Sequence, residues 1–559
     1  MAGVRHSGPG AAGVATLARP VVLRRRMGLL AVAILAAFTI VGGQLTRLAL
    51  RAGSAPTSHV ARVIARSWAR PDIVDRNGRL LATDLATPSL FADPSRIDDP
   101  DAVILLLREI LPGLDEKTVL ERLRKKNKKF VWIERGLKPA TAQAIHDLGI
   151  PGLRFRTELR RVYPVGKVAS HVLGTVNIDN RGQAGIERYI DDIVGVEAVD
   201  GPGRSAKPPL RLTIDLGAQY AVREELMAAM KRYRARGAAG IVLDVVTGEV
   251  LAASSLPEPD PNLGGADAGD ARINRLLRGR YELGSVFKAV TLAAAFDLGA
   301  ATPGSRIDTR GPITYGRFTI RDSHPINGTQ TLADVFLHSS NIGAARLATA
   351  IGTKRFRGFL ERIGLGEELS TEAGRIAPPR LPKRWSPLHT MTISFGHGIA
   401  VAPLQFAAAA ATLVNGGHRV YPTFVAATAE RLRYQRRPVL KDETSGYLRG
   451  LLRLNVTSPK GTGRRADVPG YDVGGKTGTA DIARNGGYDG NGVIASFLAV
   501  FPSAEPRYLT LVSLFDPQRT PQSGNSVAAG RTAAPTTARI ISRIAPILGL
   551  LPRRLKSDS

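Results

Sequence analysis

Twenty consecutive residues, Met27 to Thr46, carry no charge and are rich in Leu, Ile, Val and Ala. At about 1.5 Å of rise per residue, a helix of that length crosses a ~30 Å hydrocarbon layer. The apolar region of a cleaved signal peptide is shorter, roughly 7–15 residues. The run therefore reads as a retained transmembrane anchor, and everything after it must fold on one face of a membrane. Residues 1–26 are small, polar and basic, and end in Arg24-Arg25-Arg26. That cluster places the N-terminal tail in the cytoplasm by the positive-inside preference. Arg47, Arg51, Arg62 and Arg66 beyond the span act against it.

The remainder is too long for one compact core. With 559 residues, of which 43% are hydrophobic and 22% charged, the chain can bury substantial cores in two or three domains. It has no cysteine, which excludes disulfides and thiolate metal sites. The net charge is +29, and the first acidic residue is Asp72. Such a balance favours anionic partners such as lipid headgroups or a charged polymer. Nucleic acid is not expected, because no C-x-x-C finger or compact basic–aromatic motif is present.

Ile73-Val74 and Leu80-Leu81 flank Arg76-Asn77-Gly78, which predicts a β-hairpin. Residues 100–150 show helical spacing around Ile104 to Leu107 and Val119-Leu120, followed by a strand signal at Phe130 to Ile133. This part contains no catalytic set, and His171 and Glu187 read as structural hydrogen-bonding groups. It forms a mixed α+β pedestal over residues 47–200. Gly201 to Pro209 has linker composition, giving a linker at 201–210. A second domain, 211–550, opens with Leu212 to Asp215 and a helix around Gln219 to Met230. Gly240 to Asp244 and Val250 to Ser254 form a hairpin through Thr247-Gly248-Glu249. Helical material is expected from Asn274 to about Arg433. Three more strands follow at Val473 to Ala480, Ile494 to Val500 and Tyr508 to Phe515, then a helix at Thr536 to Ile547 and a basic tail at 551–559. Strands enclosing a helical middle predict an antiparallel sheet flanked by helices, an α+β domain.

Within that domain stands Tyr281-Glu282-Leu283-Gly284-Ser285-Val286-Phe287-Lys288, with the apolar run Ala289 to Phe296 behind it. Glycine, serine and a good helix former predict a helix that starts near Ser285. Ser285 and Lys288 then share a face one turn apart. A serine hydroxyl needs a neighbouring base to become a nucleophile, and a lysine in apolar surroundings can be that base if its pKa falls. A lone S-x-x-K is ordinarily a polar pair on a helix, so its companions decide. Ser339-Ser340-Asn341 falls in a loop before a helix at Ile342 to Ala350. Lys476-Thr477-Gly478-Thr479 falls on a glycine-flanked strand and is the only K-[ST]-G in the chain. Ser523-Gly524-Asn525 follows the lysine motif, the wrong order for a companion.

The three motifs, in this order and spacing, resemble those of class B penicillin-binding proteins, the monofunctional peptidoglycan D,D-transpeptidases. The resemblance extends from the anchor to the last helix. It includes Asp72 to Gly78, Arg161-Val162-Tyr163-Pro164, Leu212-Thr213-Ile214-Asp215, Ser394-Phe395-Gly396-His397-Gly398-Ile399, Pro403-Leu404-Gln405 and Gly461-Thr462-Gly463. Two residues depart from the family pattern: Leu283 stands where proline is usual, and His397 where glutamine is more common.

The resemblance implies a penicillin-binding, serine β-lactamase-like domain on a non-catalytic, dimerisation-like pedestal. It implies Ser285 as nucleophile, Lys288 as its base, and Ser339 and Lys476 in proton relay. Asn341 would bind a substrate amide, and Thr477, Gly478 and Thr479 the substrate's terminal carboxylate and backbone. The Ser285 and Thr479 N–H groups would form the oxyanion hole. Implied partners are stem peptides, β-lactams, membrane lipid, and by resemblance a membrane-embedded glycosyltransferase and other division proteins. The implied place is the inner membrane, single-pass, with the C-terminal bulk in the periplasm. Neither a metal nor an organic cofactor is expected. Short length and the absence of appended C-terminal modules look most like the cell-division branch. The alternatives are an elongation-type transpeptidase, a β-lactam sensor or scaffold, and a β-lactamase-like hydrolase that uses water as acceptor.

Overall fold

The computed structural model describes residues 19–53, 67–199, 203, 205–263, 269–435, 438–484 and 487–553. Most of the expected cytoplasmic tail, residues 54–66, three residues at the start of the linker (201, 202 and 204) and the end of the basic tail lie outside the described residues. Met1–Arg66 and Ser67–Ser559 are separate compact units. In the first, Arg19–Gly53 is one α-helix of 35 residues. Its segment Gly28–Arg47 is long and apolar enough to cross a membrane and is wholly uncovered by protein. The helix runs past both ends of the apolar run, because Arg24 to Arg26 and the segment after Thr46 contain no glycine–proline break.

The second unit opens with the pedestal. Leu80–Ala92 is its long central strand, antiparallel to Leu153–Val162 from Thr83 opposite Val162 to Ala92 opposite Leu153. Val131–Glu134 lies at the sheet edge, and Ile73–Val74 returns through the expected hairpin onto Leu80 and Ala82. Helices Pro100–Ile110, Glu116–Leu123 and Pro139–Asp147 bury Val103, Ile104, Leu107, Val119, Leu123 and Ile145 against this sheet. The first two helices are capped by Asp99 and Asp115, whose carboxylates accept from the free amides of the first turn.

His171 and Glu187 are structural here, as the sequence predicts. His171 Nε2 lies 2.9 Å from the Ala271 carbonyl oxygen. Glu187 is fully buried and bridges Arg70 Nε (2.7 Å) and Arg161 Nε (2.7 Å). Arg161 also reaches Asp84 at 3.2 Å, and Arg70 contacts Asp191.

Polar bonds join the pedestal to the domain that follows. The Arg76 amide donates to the Ile214 carbonyl (2.9 Å), the Leu216 amide to Asp75 Oδ2 (3.1 Å), and Asn77 Nδ2 to Asp215 Oδ2 (2.8 Å). Asn262 accepts from the Tyr163 amide and donates back to its carbonyl, at 3.0 and 3.1 Å. Leu210–Arg211, at the end of the expected linker, forms a strand parallel to Ile73–Val74.

The larger domain is built on five antiparallel strands: β1 (Gly237–Asp244), β2 (Val250–Leu256), β3 (Gly474–Arg484), β4 (Gly487–Phe501) and β5 (Tyr508–Phe515). Their order is β3-β4-β5-β1-β2, which leaves β3 at an edge. Successive residues of a strand face opposite sides, and here both sides are covered. Ile241 and Leu243 enter one core, while Val242 enters the other. Helices Leu216–Tyr233 and Ala533–Ile547 cover the second face. Lys288–Asp297, Pro403–Val414 and Asp442–Thr457 cover the first. The Asn274 to Arg433 stretch is less helical than the sequence predicts. Arg306–Asp308 pairs with Thr329–Thr331, Ile313–Tyr315 with Phe318–Ile320, and Ser370–Thr371 with Gly374–Arg375. Gly311, Gly316 and Gly374 have positive φ in these ribbons, a turn geometry that opposes helix.

Candidate active site

Ser285 lies on a 3-10 turn, Gly284–Phe287, and the α-helix begins only at Lys288. The start is later than the sequence predicts, because the turn is wedged between two backbones. Gly284 has φ +60°, and a Cβ there would stand 2.8 Å from the Thr479 carbonyl oxygen. A Cβ on Gly396 would fall on the Gly284 carbonyl, and one on Gly478 on the Leu283 carbonyl. The space left by the missing Gly478 side chain is thus occupied by the turn that carries Ser285. Residues three apart eclipse in a 3-10 turn, so Ser285 and Lys288 still share a face.

The motif Ser394 to Ile399 closes the back of this turn. Thr291 Oγ1 donates to the Ser394 carbonyl (2.7 Å), and the Gly398 amide donates to Glu282 Oε1 (3.0 Å). Leu283, one of the two departures from the pattern that the sequence resembles, is fully buried in the core. His397 lines the cleft, with its ring 5.3 Å from that of Phe395.

Ser339 joins the other two motifs. Its Oγ lies 3.1 Å from Lys288 Nζ and 3.0 Å from Lys476 Nζ. Ser339 holds φ +57°, a left-handed conformation that serine adopts only where its surroundings impose it. Lys288 Nζ also donates to Asn341 Oδ1 (2.7 Å) and to the Ser339 carbonyl. Among the described hydrogen bonds none joins Lys288 to Ser285. Ser340 caps the helix Asn341–Ile351 by accepting from the Gly343 amide at 2.9 Å. That helix starts one residue earlier than the sequence predicts.

Both lysines are fully buried. Burial pushes Lys288 well below the ordinary lysine value, and the charge of Lys476 pushes it further; Asp322 acts in the opposite sense. Burial alone brings Lys476 down to about 7. An uncharged Lys288 has two N–H bonds, matched by the Ser339 carbonyl and Asn341 Oδ1, and one lone pair free to take a hydroxyl proton. Lys476 Nζ also reaches the Thr477 carbonyl at 3.1 Å and lies over the Phe336 ring at 5.7 Å.

Thr477 Oγ1 donates to Thr462 Oγ1 (2.8 Å), and Thr479 Oγ1 accepts from the Ala529 amide (3.1 Å). Ser285, Ser339, Asn341, Thr477 and Thr479 all line one cleft of about 1300 Å³, with the two lysines beneath its floor. All eight residues singled out in the sequence therefore meet in one place. Ser523, of the out-of-order triplet, instead donates to the Thr520 carbonyl at 3.0 Å inside its own loop.

Two positioning residues escape the sequence reading. Asp322 accepts from Ser340 Oγ (2.6 Å), the Asn341 amide and the Ile342 amide (3.0 Å), and so holds the Ser339–Asn341 loop. No sequence signal marks it. Asn455 is fully buried; its Nδ2 donates to the Gly475 carbonyl (2.8 Å), and its Oδ1 accepts from the Thr462 amide and hydroxyl (3.1 and 3.2 Å). A signal for it exists, because Asn455 falls on the apolar stripe of Leu448, Leu451 and Leu452, where a polar residue needs partners.

A family described as the penicillin binding protein transpeptidase domain matches residues 238–542, and the penicillin-binding protein dimerisation domain matches residues 67–199. The chain is similar to the probable peptidoglycan D,D-transpeptidase FtsI of Caulobacter vibrioides, at 38% identity over 492 residues, covering 86% of this chain and 82% of that protein. It is also similar to the probable peptidoglycan D,D-transpeptidase PenA of Neisseria gonorrhoeae, at 30% over 522 residues (89% and 87%). For the peptidoglycan D,D-transpeptidase FtsI of Escherichia coli the identity is 29% over 498 residues (84% and 82%).

Proposed function

The chain belongs to the class B penicillin-binding proteins and is a peptidoglycan D,D-transpeptidase of the FtsI-like division type, and from that premise we propose how its residues carry out the transfer. Ser285 is the nucleophile. Lys288, uncharged in its buried seat, takes the Ser285 proton as Oγ attacks the carbonyl between the two terminal D-alanines of a stem peptide. The oxyanion develops against the Ser285 and Thr479 N–H groups. The C–N bond breaks, the proton passes through Ser339 to the departing amine, and D-alanine leaves. An amine of a neighbouring stem then attacks the ester, and Ser285 regains its proton by the reverse path. Asn341 holds the substrate amide, while Lys476, Thr477 and Thr479 hold the terminal carboxylate. β-Lactams acylate the same serine. The observation that carries this reading is Ser339 Oγ within 3.1 Å of both buried lysines, which brings residues of three distant motifs together around one hydroxyl.

We further propose the segment boundaries as the sequence reading has them: anchor 27–46, pedestal 47–200, linker 201–210 and transpeptidase domain 211–550. The apolar helix Gly28–Arg47 supports a single-pass anchor in the inner membrane, with the bulk of the chain in the periplasm. Membrane lipid is then one partner. The pedestal offers a platform to a membrane-embedded glycosyltransferase and to other division proteins.

The test is intact-mass measurement of the full chain in detergent with benzylpenicillin, beside Ser285→Ala. One adduct per chain, absent in the variant, is the expected result. Hydrolysis without an accumulating adduct would instead indicate a β-lactamase, and neither adduct nor hydrolysis would remove Ser285 from its role.

A further inference from the structure

Four side chains of the cleft are used neither by acyl transfer nor by carboxylate anchoring. Arg464, Arg465, Arg519 and Arg531 line it and are exposed. Among the described residues none of them has an ion-pair partner; Arg519 donates to the Asn525 carbonyl at 3.1 Å. The carboxylates of the same walls do not balance them. Asp322 is committed to Ser340 and two amides, and Asp467 pairs with Arg453 at 2.8 Å. Asp481 is exposed, two residues beyond Thr479. A concave site with surplus charge of one sign concentrates ligands of the other.

Three of the four arginines follow residues that bind the lysine motif. Thr462 takes the Thr477 hydroxyl, and Arg464 and Arg465 follow it on the turn Arg464–Ala466. The Ala529 amide binds Thr479 Oγ1, a Cβ on Gly530 would stand 3.8 Å from the Thr477 methyl, and Arg531 is next in the chain. Arg464, Arg465 and Arg531 therefore stand in the chain beside residues at the end of the cleft where, in the mechanism proposed above, Thr477 and Thr479 hold the carboxylate of the departing residue, and Arg519 lines the same cleft. When D-alanine leaves, it takes its charge away and vacates that end. The acceptor amine must approach the same acyl carbon, so its chain enters the vacated space.

On the reading of Ser285 given above, we propose that Arg464, Arg465, Arg519 and Arg531 bind the acceptor strand and select acceptors that carry a carboxylate beyond the one beside the attacking amine. Guanidinium forks match a carboxylate with two parallel hydrogen bonds, which distinguishes it from an amide of equal shape. In the step they serve, the acceptor nitrogen bonds to the acyl carbon and the ester C–O bond to Ser285 breaks. The amine proton returns to Ser285 Oγ through Lys288. The arginines take no part in that exchange; they hold the incoming chain.

The experiment uses the full chain in detergent, a small D-alanyl thioester as acyl donor, and D-glutamate or D-glutamine as acceptor. These two acceptors have the same shape and differ in one charge. The readout is the ratio of aminolysis to hydrolysis product by mass spectrometry, so each enzyme supplies its own reference. The wild type is expected to favour D-glutamate about fivefold at low salt, with the preference shrinking at about 0.5 M salt. Arg465→Gln/Arg531→Gln is expected to bring the two acceptors to parity, and Arg465→Lys/Arg531→Lys to restore part of the preference. Equal partition in the wild type overturns the proposal, as does a preference that survives in both Arg465→Gln/Arg531→Gln and Arg464→Gln/Arg519→Gln. A chain that forms no acyl-enzyme with the thioester removes the Ser285 reading instead, and this one with it.

Discussion

Lys288 and Lys476 share one hydroxyl, and their protonation must differ for the site to operate. In the proposed mechanism Lys288 has to be uncharged to accept a proton, while Lys476 has to be charged to hold a carboxylate. Burial lowers both, and the charge of Lys476 lowers Lys288 further, which separates them in the useful direction. The rate constant for acylation at low substrate reports the free enzyme. It should rise with pH as Lys288 loses its proton and fall again as Lys476 loses its own, from about 7 upward. Lys476→Arg should remove the alkaline limb, since guanidinium stays charged in this range. A stopped-flow pH profile with benzylpenicillin checks both limbs, and an unchanged alkaline limb in the variant would assign it to another group. The identities of these residues were legible in the sequence because the chemistry demands particular residue types at particular spacings. Their hydrogen bonds were not: Lys288 turns toward Ser339 and Asn341, and only the fold brings residues 51 and 53 positions away beside it.

At the scale of elements, the edge strand β3 carries the lysine motif, and its start is pinned from behind by Asn455 on the helix Asp442–Thr457. Asn455→Ala would leave the Gly475 carbonyl and the Thr462 amide without partners in a buried place. The expected cost is about 2–3 kcal/mol of stability, with slower acylation, because Thr462 also orients Thr477. Thermal unfolding and adduct formation measured on one preparation would check this; a loss of stability with acylation unchanged would separate Asn455 from the site. The strands of this sheet were predictable from their apolar runs, which both covering layers require. The short ribbons between residues 306 and 375 were not, because two or three residues with turn glycines carry no periodicity to read. The 3-10 start of the nucleophile turn was likewise hidden, since it is imposed by Thr479 and Gly396 rather than by local preference.

For the unit from Ser67 onward, the linker composition of 201–210 stands beside a packed junction. Gly201 to Pro209 has linker composition, and on either side of it Ile73, Leu81, Tyr163 and Val172 lie in one core with Ile241 and Leu243. The polar bonds from Asp75, Asn77 and Asn262 close the same junction. Pedestal and transpeptidase domain should therefore unfold together. Glu187→Gln would leave Arg70 and Arg161 buried with too little negative charge, at a cost of about 3–5 kcal/mol. Calorimetry should show one transition for this unit, moved down in the variant; two transitions, with only one moved, would mean the pedestal folds alone.

The glycines around Ser285 have a consequence for how such a chain can change under selection. A side chain at 284, 396 or 478 would have to displace the opposing backbone, so a variant there forfeits wall synthesis along with drug binding. Lineages exposed to β-lactams are thereby steered away from the nucleophile turn. Adaptive substitutions should collect instead on the open walls of the cleft, at His397 and along the loop from Arg519 to Arg531.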